Sequence, residues 1–429
     1  MTGSHSMFIK LTGYMMIVIL CLCLLAGCGK QQTKRTVVRV ALWSSDVEEK
    51  ALNKSLAEFE KLHPNIKVEL EIATWDRLSW KVMVSTAGGR PPDVTRVSSE
   101  WYVPLAAKGL LEPLNPFIKR DKWDIWDFYP EAIAGWGEYK NKIYTIPGDV
   151  DVEALYYNKK MFDQCGLPYP DWTWDYNRYL EAAKKLTRDN DGDGQLDQWG
   201  ASIALWQLFI YENGGSIVSP DGNTCTLDQP AAYEGLQRMA DLVNKYHVAP
   251  TREEEAGQGN WKMFTAGKLG MLVAGSYAAK LVFEKEVKGF KYDAAPIPKG
   301  PKSRVTFIGG AAWSMLSRSN HKDEAWEVIK WLTGPQYQTD CALMNSQVPT
   351  RKSLAESDVF LYRKEPPESR DVFLKMIKYG RATPHVSCYA EMNQIIGSEL
   401  DLVMLGKKSA KDACIHVKPI IDQLLRHRD

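Results

Sequence analysis

A strand, a helix and a second strand follow one another between residues 37 and 72, and this run limits the fold more than any other stretch of the chain. Residues 37–43 (VVRVALW) read as a strand. Residues 47–63 place Leu52, Leu56, Phe59 and Leu62 on one helical face before Pro64 closes the helix, and residues 66–72 alternate through Ile66, Val68, Leu70 and Ile72. Strand, helix and strand at this spacing make a βαβ unit with a parallel pair. Residues 75–87 read as a second helix, broken by Gly88-Gly89 and Pro91-Pro92, and residues 93–97 as a third strand. The chain therefore opens as an α/β lobe. At 429 residues it exceeds one ordinary core, so a second lobe is expected.

Residues 143–160, IYTIPGDVDVEALYYNKK, read as the crossing between lobes. Pro147-Gly148 bends the chain, Asp149, Asp151 and Glu153 follow among small and apolar neighbours, and ALYYN is strand-like. Residues 98–114 carry Trp101-Tyr102 and a helix ended by Gly109. Residues 175–186, 231–246 and 259–265 read as helices, and 268–274 as a strand delivering Gly275-Ser276-Tyr277. The Pro-rich end of residues 292–298 fits a second crossing. Residues 305–316 read as strand with a Gly309-Gly310 break, and 322–332 as a helix stopped by Gly334-Pro335. The last hundred residues or so have a mostly helical pattern and are expected to pack outside and bridge the lobes.

The N-terminus has the three-part form of an export signal: a weakly basic start at residues 7–10, an apolar run at 14–26 and a small-residue site, Leu25-Ala26-Gly27-Cys28. The apolar run is too short to span a bilayer. LAGC followed by polar residues resembles a bacterial lipoprotein signal, which implies a signal peptide over 1–27, lipidation of Cys28, and residues 28–35 as anchor and linker. The mature protein is then tethered to the outer face of the bacterial cell membrane. Lys+Arg 54 against Asp+Glu 53 leaves no electrostatic footprint for nucleic acid. Once the signal and Cys28 are set aside, Cys165, Cys225, Cys341, Cys388 and Cys414 are scattered without CxxC or Cys/His spacing. They describe neither a zinc site nor a disulfide framework, although one bridge stays open.

Several stretches together resemble the extracellular solute-binding proteins of ABC importers, the family of maltodextrin- and other oligosaccharide-binding proteins. They are the lipobox, residues 40–43 (VALW), 59–68 (FEKLHPNIKV), 89–94 (GRPPDV), 105–114 (LAAKGLLEPL), 143–159, 264–277 (FTAGKLGMLVAGSY) and 309–335. The resemblance implies an α/β, two-lobed, periplasmic-binding-protein-like fold of type II, with discontinuous lobes joined by a hinge. The expected N-terminal lobe is 36–148 plus about 302–350, and the C-terminal lobe 149–301 plus about 351–429. It also implies a monomer that captures a sugar or oligosaccharide by closure and delivers it to the importer's permease subunits.

Open α/β sheets bind ligands beyond the carboxyl ends of their strands, and a sugar needs flat aromatic platforms beside carboxylates and amides. Carried over from the family's pattern, Trp43 and Asp46 match the loop after the first strand, and Glu100 and Trp101 the loop before the LAAKGLL helix. Asp151 matches the acid of the crossing, Tyr277 the aromatic after Gly-Ser, and Tyr389 an aromatic of the C-terminal segment. Trp206 with Gln207 is a further wall. Tyr277 stands where the family often has Trp, which shrinks the stacking area.

Residues 189–197, DNDGDGQLD, match the start of an EF-hand loop, with oxygen ligands at Asp189, Asp191 and Asp193, a carbonyl at Gln195 and an acid at Asp197. Position 12 is Gly200 instead of Glu, so a structural Ca²⁺ that stiffens the second lobe is expected to complete its shell elsewhere. The rival function is a lipid-anchored glycoside hydrolase, because Asp149 and Asp151 can share a strand face. Against it, GxSxG, HExxH and GxxxxGK[ST] are absent and the seven His follow no ligand spacing. A peptide- or metal-ion-binding member of the same superfamily is a third reading, less favoured by the surplus of aromatics and carboxylates.

Overall fold

The computed structural model describes residues 35–427 apart from 256, 346, 363 and 364, and describes only the backbone of 46, 47 and 345. The expected signal peptide, Cys28 and residues 29–34 of the linker lie outside the described residues. The strands used below are β1 (Thr36–Trp43), β2 (Ile66–Ala73), β3 (Val94–Ser98), β4 (Thr145–Pro147), β5 (Asp151–Asn158), β6 (Met271–Gly275), β7 (Tyr292–Ala295), β8 (Thr306–Gly309), β9 (Ala311–Met315) and β10 (Gly380–Arg381). The helices are α1 (Asp46–Leu62), α2 (Trp75–Ala87), α3 (Tyr102–Ala107), α4 (Trp206–Glu212), α5 (Lys322–Leu332) and α6 (Tyr389–Met404).

The βαβ unit forms where the alternation put it. β1 runs parallel to β2 in unbroken register from Thr36 opposite Ile66 to Trp43 opposite Ala73, and parallel to β3 at Val40 opposite Val94. α1 starts at a capping box: the Ser45 side chain accepts from the Glu48 amide, and the Glu48 side chain accepts from the Ser45 amide. The first sheet has the order β2-β1-β3-β9-β4, with the returning strand β9 antiparallel to both neighbours. The second has the order β10-β8-β5-β6, with β7 also paired to β5. α4 sits in a stretch for which no helix was expected.

Two antiparallel strands connect the sheets. β4 continues through Gly148–Val150 into β5, and β8 continues through Gly310 into β9, with the Gly148 amide donating to the Ala311 carbonyl at 2.8 Å. Val348 lies alongside, its carbonyl accepting from the Val150 amide at 2.9 Å, and the chain beyond it is still held by the first lobe, with Arg351 donating to the Thr333 carbonyl at 2.9 Å. The expected boundary near residue 302 moves to Gly310, because β8 pairs with β5 through Ile308–Val152 and Gly309–Asp151 and so belongs to the second sheet. The Pro-rich stretch expected to be a crossing stays in the second lobe: the Lys299 amide donates to Trp174, and the Lys299 carbonyl accepts from Tyr176.

The first lobe buries Val38, Val40 and Leu42 of β1 against Leu52, Leu56 and Phe59 of α1, and against Trp326 and Ile329 of α5. Each such side chain contributes about 1.5–3 kcal/mol by leaving water. The second lobe has its own core, including Phe162, Leu180, Leu236 and Val403. A third apolar cluster runs through the hinge by way of Val97, Val150, Val152, Ile308 and Val348. The hinge backbone is thus anchored on its apolar side and free to present its acids on the other. The five described cysteines are all free thiols. No helix among the described residues is long and apolar enough to cross a membrane.

Candidate ligand-binding cleft

A cleft of about 860 Å³ opens beyond the carboxyl ends of β1 and β3 and is floored by the hinge. Trp43, Glu100, Asp151 and Tyr277, singled out in the sequence, all line it. They come from four places in the chain: the end of β1, the turn after β3, the start of β5 and the turn after β6.

Trp43 is fixed before any ligand arrives. The Arg96 guanidinium lies 4.5 Å from its ring centroid, and Trp101 packs edge-on at 5.9 Å. Arg96 also donates from Nη1 to the Trp43 carbonyl at 3.0 Å and pairs with Asp149 at 3.4 Å and with Glu48 at 3.7 Å. A cation inside β3, whose five residues are all buried, needs such partners. Tyr277 is backed at 5.7 Å by Trp261.

The hinge acids are unequal. Asp149 accepts from the Ala311 amide at 2.7 Å and faces Arg96, so burial pushes its carboxyl up while these partners hold it down. Asp151 is half-buried, and its Oδ1 is enclosed with no hydrogen-bond partner. Burial first, then Glu153, Asp149 and Glu100, drive its carboxyl well above the usual range. Burial pushes Glu153 up to about 7 and raises Glu100 as well. The Tyr277 phenol is raised by burial and then by Asp151, Glu153 and Glu100. Gly275 permits this crowding: a Cβ there would lie 2.3 Å from the Tyr277 ring and 2.6 Å from Asp151 Oδ1.

Three other expected residues, Trp101, Trp206 and Tyr389, sit behind or away from the lining. Trp101 supports Trp43 from behind. Trp206, at the start of α4, packs against the second-lobe core, and Gln207 Nε2 donates to the Tyr389 hydroxyl at 3.0 Å. Tyr389, at the start of α6, is 6% exposed; burial raises its phenol to about 12, with the Gln207 bond opposing and the Glu100 charge adding. It therefore lies within the field of the cleft without forming its surface. Asp46 opens α1, and its side chain lies outside the described atoms.

The lining residues that escaped the sequence reading include Glu48, Trp75, Arg96 and Phe307. Trp75 is the clearest omission, an indole 46% exposed at the first position of α2. Together the walls offer flat rings, a fixed cation and unpaired carboxylate oxygens. Such a surface can stack an apolar face and accept hydrogen bonds at its edge. The hydrolase alternative loses its pair, since Asp149 is committed to the Ala311 amide and Arg96.

In the acidic loop, ligand-capable oxygens of Asp189, Asp191 and Asp197 lie within 4.8 Å of one another, all exposed. Asp193 falls outside this group of carboxylates, and its Oδ1 accepts from the Gln195 amide at 2.7 Å. Asp189 accepts from the amides of Gly192 and Gly194, which hold its carboxyl below the usual range.

Comparison with known proteins agrees with this architecture. The galactooligosaccharide-binding protein of Bacillus subtilis is 23% identical over 413 residues, covering 91% of this chain and 91% of that one. The maltotriose-binding protein of Pyrococcus abyssi is 25% identical over 322 residues, covering 72% of this chain and 66% of its own length. Among solved structures, an ABC substrate-binding protein from Listeria monocytogenes in complex with cycloalternan superposes with a TM-score of 0.81 at 24% identity, covering 91% of this chain and 99% of that one. Its likeness is one of fold, the type II arrangement of two lobes about a hinge. The sequence profile of the bacterial extracellular solute-binding proteins matches residues 43–339, and the chain belongs to that family.

Proposed function

We propose that this protein captures a sugar or oligosaccharide between its two lobes and delivers it to the membrane subunits of an ABC importer. The observation that carries the reading is the pairing of fixed aromatic rings, Trp43 and Tyr277, with the cleft carboxylates of Glu100 and Asp151. Rings stack the C–H face of a pyranose, and carboxylates accept from its hydroxyls. The relatives named for galactooligosaccharide and maltotriose support the same ligand class. A solute-binding protein of this family works outside the cytoplasm, and the LAGC leader supports tethering there through an acylated Cys28. One chain supplies both cleft walls, so a monomer suffices. The converging carboxylates of Asp189, Asp191 and Asp197 support a Ca²⁺ site that stiffens the second lobe.

The experiment is a thermal shift of the chain from Gly29 onward against a carbohydrate panel. A saccharide at a hundredfold over its Kd adds about 2.7 kcal/mol and moves the midpoint by several degrees. A panel without any shift counts against the proposal, and turnover of a chromogenic glycoside revives the hydrolase.

A further inference from the structure

We infer that the preferred occupant of this cleft carries a protonated amine, an amino sugar or an oligosaccharide of amino sugars; this rests on the carbohydrate reading above and narrows it. The lining contains four carboxylates, Glu48, Glu100, Asp149 and Asp151, and one cation, Arg96. Arg96 is already engaged by Glu48 and Asp149 and covers one face of Trp43. Glu100 and Asp151 are left facing the cavity with no cation besides the engaged Arg96 among the described lining residues, and Glu153 adds a third like charge behind them.

Asp151 marks the spot. Its Oδ1 is enclosed and without a donor, pressed against the position that Gly275 keeps open and beside the Tyr277 ring. Like charges withdrawn from water either take up a proton or meet a cation. A neutral hydroxyl supplies one hydrogen bond and leaves the charge excess in place. An ammonium group supplies three donors and a charge that compensates the acids, and it can rest against the face of a ring such as that of Tyr277. The rings around it still require a flat, partly apolar body, which an amino sugar has and a simple polyamine lacks.

The two kinds of occupant respond oppositely to pH. The groups facing Asp151 are Glu153 on its own strand, Asp149 at the hinge, Glu100 from the first lobe and Tyr277 after β6, with Arg96 beyond Asp149. As pH rises from 5 to 7 proton loss from these acids can only increase, so an ammonium is held more tightly. A neutral sugar that accepts from protonated acids is held less tightly over the same range.

The test is isothermal titration of the full-length chain in detergent at pH 5 and pH 7. The probes are glucosamine and its β-1,4 oligomers, their N-acetylated forms, glucose with its β-1,4 oligomers, and spermidine. The expected result is binding of an amine-bearing saccharide at least about tenfold tighter than its acetylated and neutral counterparts at pH 7. That preference shrinks at pH 5 and in Glu100→Gln, with Asp151→Asn as a second variant. Equal or tighter binding of a neutral or acetylated counterpart overturns the inference and leaves the carbohydrate reading standing. Binding of spermidine alone, or of no probe, overturns the inference; the carbohydrate reading falls with it only where the wider carbohydrate panel also gives no thermal shift. The wild-type comparison decides the matter even if a variant fails to fold.

Discussion

Arg96 holds the first-lobe wall together, because its guanidinium is shared by the Trp43 ring, Asp149 and Glu48 within a buried strand. Arg96→Met should leave Asp149 buried and without its cation, costing about 3–5 kcal/mol. Urea unfolding checks this, and a loss below about 1 kcal/mol would show the pair to be dispensable. Glu153 argues a second prediction at the same scale. Its folded-state carboxyl titrates near 7, above the ordinary 4.5, so the folded chain binds the proton more tightly than the unfolded one. Its contribution is most favourable at low pH and is lost as pH rises from about 4.5 to about 7, by an amount on the order of a few kcal/mol. Glu212, also raised to about 7, slopes the same way, so Glu153→Gln should flatten the fall in melting temperature between pH 5 and 7.5 only in part. An unchanged slope would remove Glu153 from the account. Trp43, Glu100, Asp151 and Tyr277 were legible because the resemblance to the family carried its pattern onto strand ends and turns that the sequence marks. Arg96 was not, since TRVS reads as ordinary strand until the burial of its neighbours is known; a lone cation in a central strand was the available signal.

At the scale of elements, local pattern served well wherever periodicity and punctuation agreed. α2 and α5 span the residues expected of them, and the Gly309-Gly310 break falls where β8 gives way to β9. Pattern could not say which sheet β8 joins, because alternation fixes the face a side chain takes and leaves the pairing partner open. Hence the crossing moved to Gly310. α4 was missed because seven residues are too few for a helical period to stand out. The acidic loop 189–197 is the element whose sequence most outruns its geometry. Three of its acids converge while Asp193 folds back on the Gln195 amide. If the loop takes Ca²⁺, the ion at tenfold over its Kd should raise stability by about 1.4 kcal/mol. Asp189→Asn should abolish that rise, and Asp193→Asn should leave most of it. Melting curves with Ca²⁺ and with a chelator read the difference; coincident curves would reduce the loop to a solvated turn.

For the whole molecule, the number and placement of the crossings decide how it can move. β4 to β5 and β8 to β9 pass one narrow place, hydrogen-bonded to each other at Gly148–Ala311, with Val348 bonded to Val150 alongside. A tie of this kind resists sliding and unzipping but bends, because few backbone angles need to change, and Gly310 at φ +151° occupies a conformation that side chains rarely adopt. Rings and acids that must meet one ligand lie on both sides of the tie, Trp43 and Glu100 on one lobe and Tyr277 on the other. A ligand that touches both walls only when they approach has differential affinity for the closed form, and that difference is all that can shift the population. Small-angle scattering with a saturating ligand from the panel should therefore show a smaller radius of gyration than the free protein. Trp43→Ala should weaken binding and, once saturated at higher ligand, still close, because Tyr277 and the hinge acids remain. A radius unchanged by a ligand that does raise the melting temperature would mean that one wall alone binds it, and the coupling of capture to closure would then be wrong.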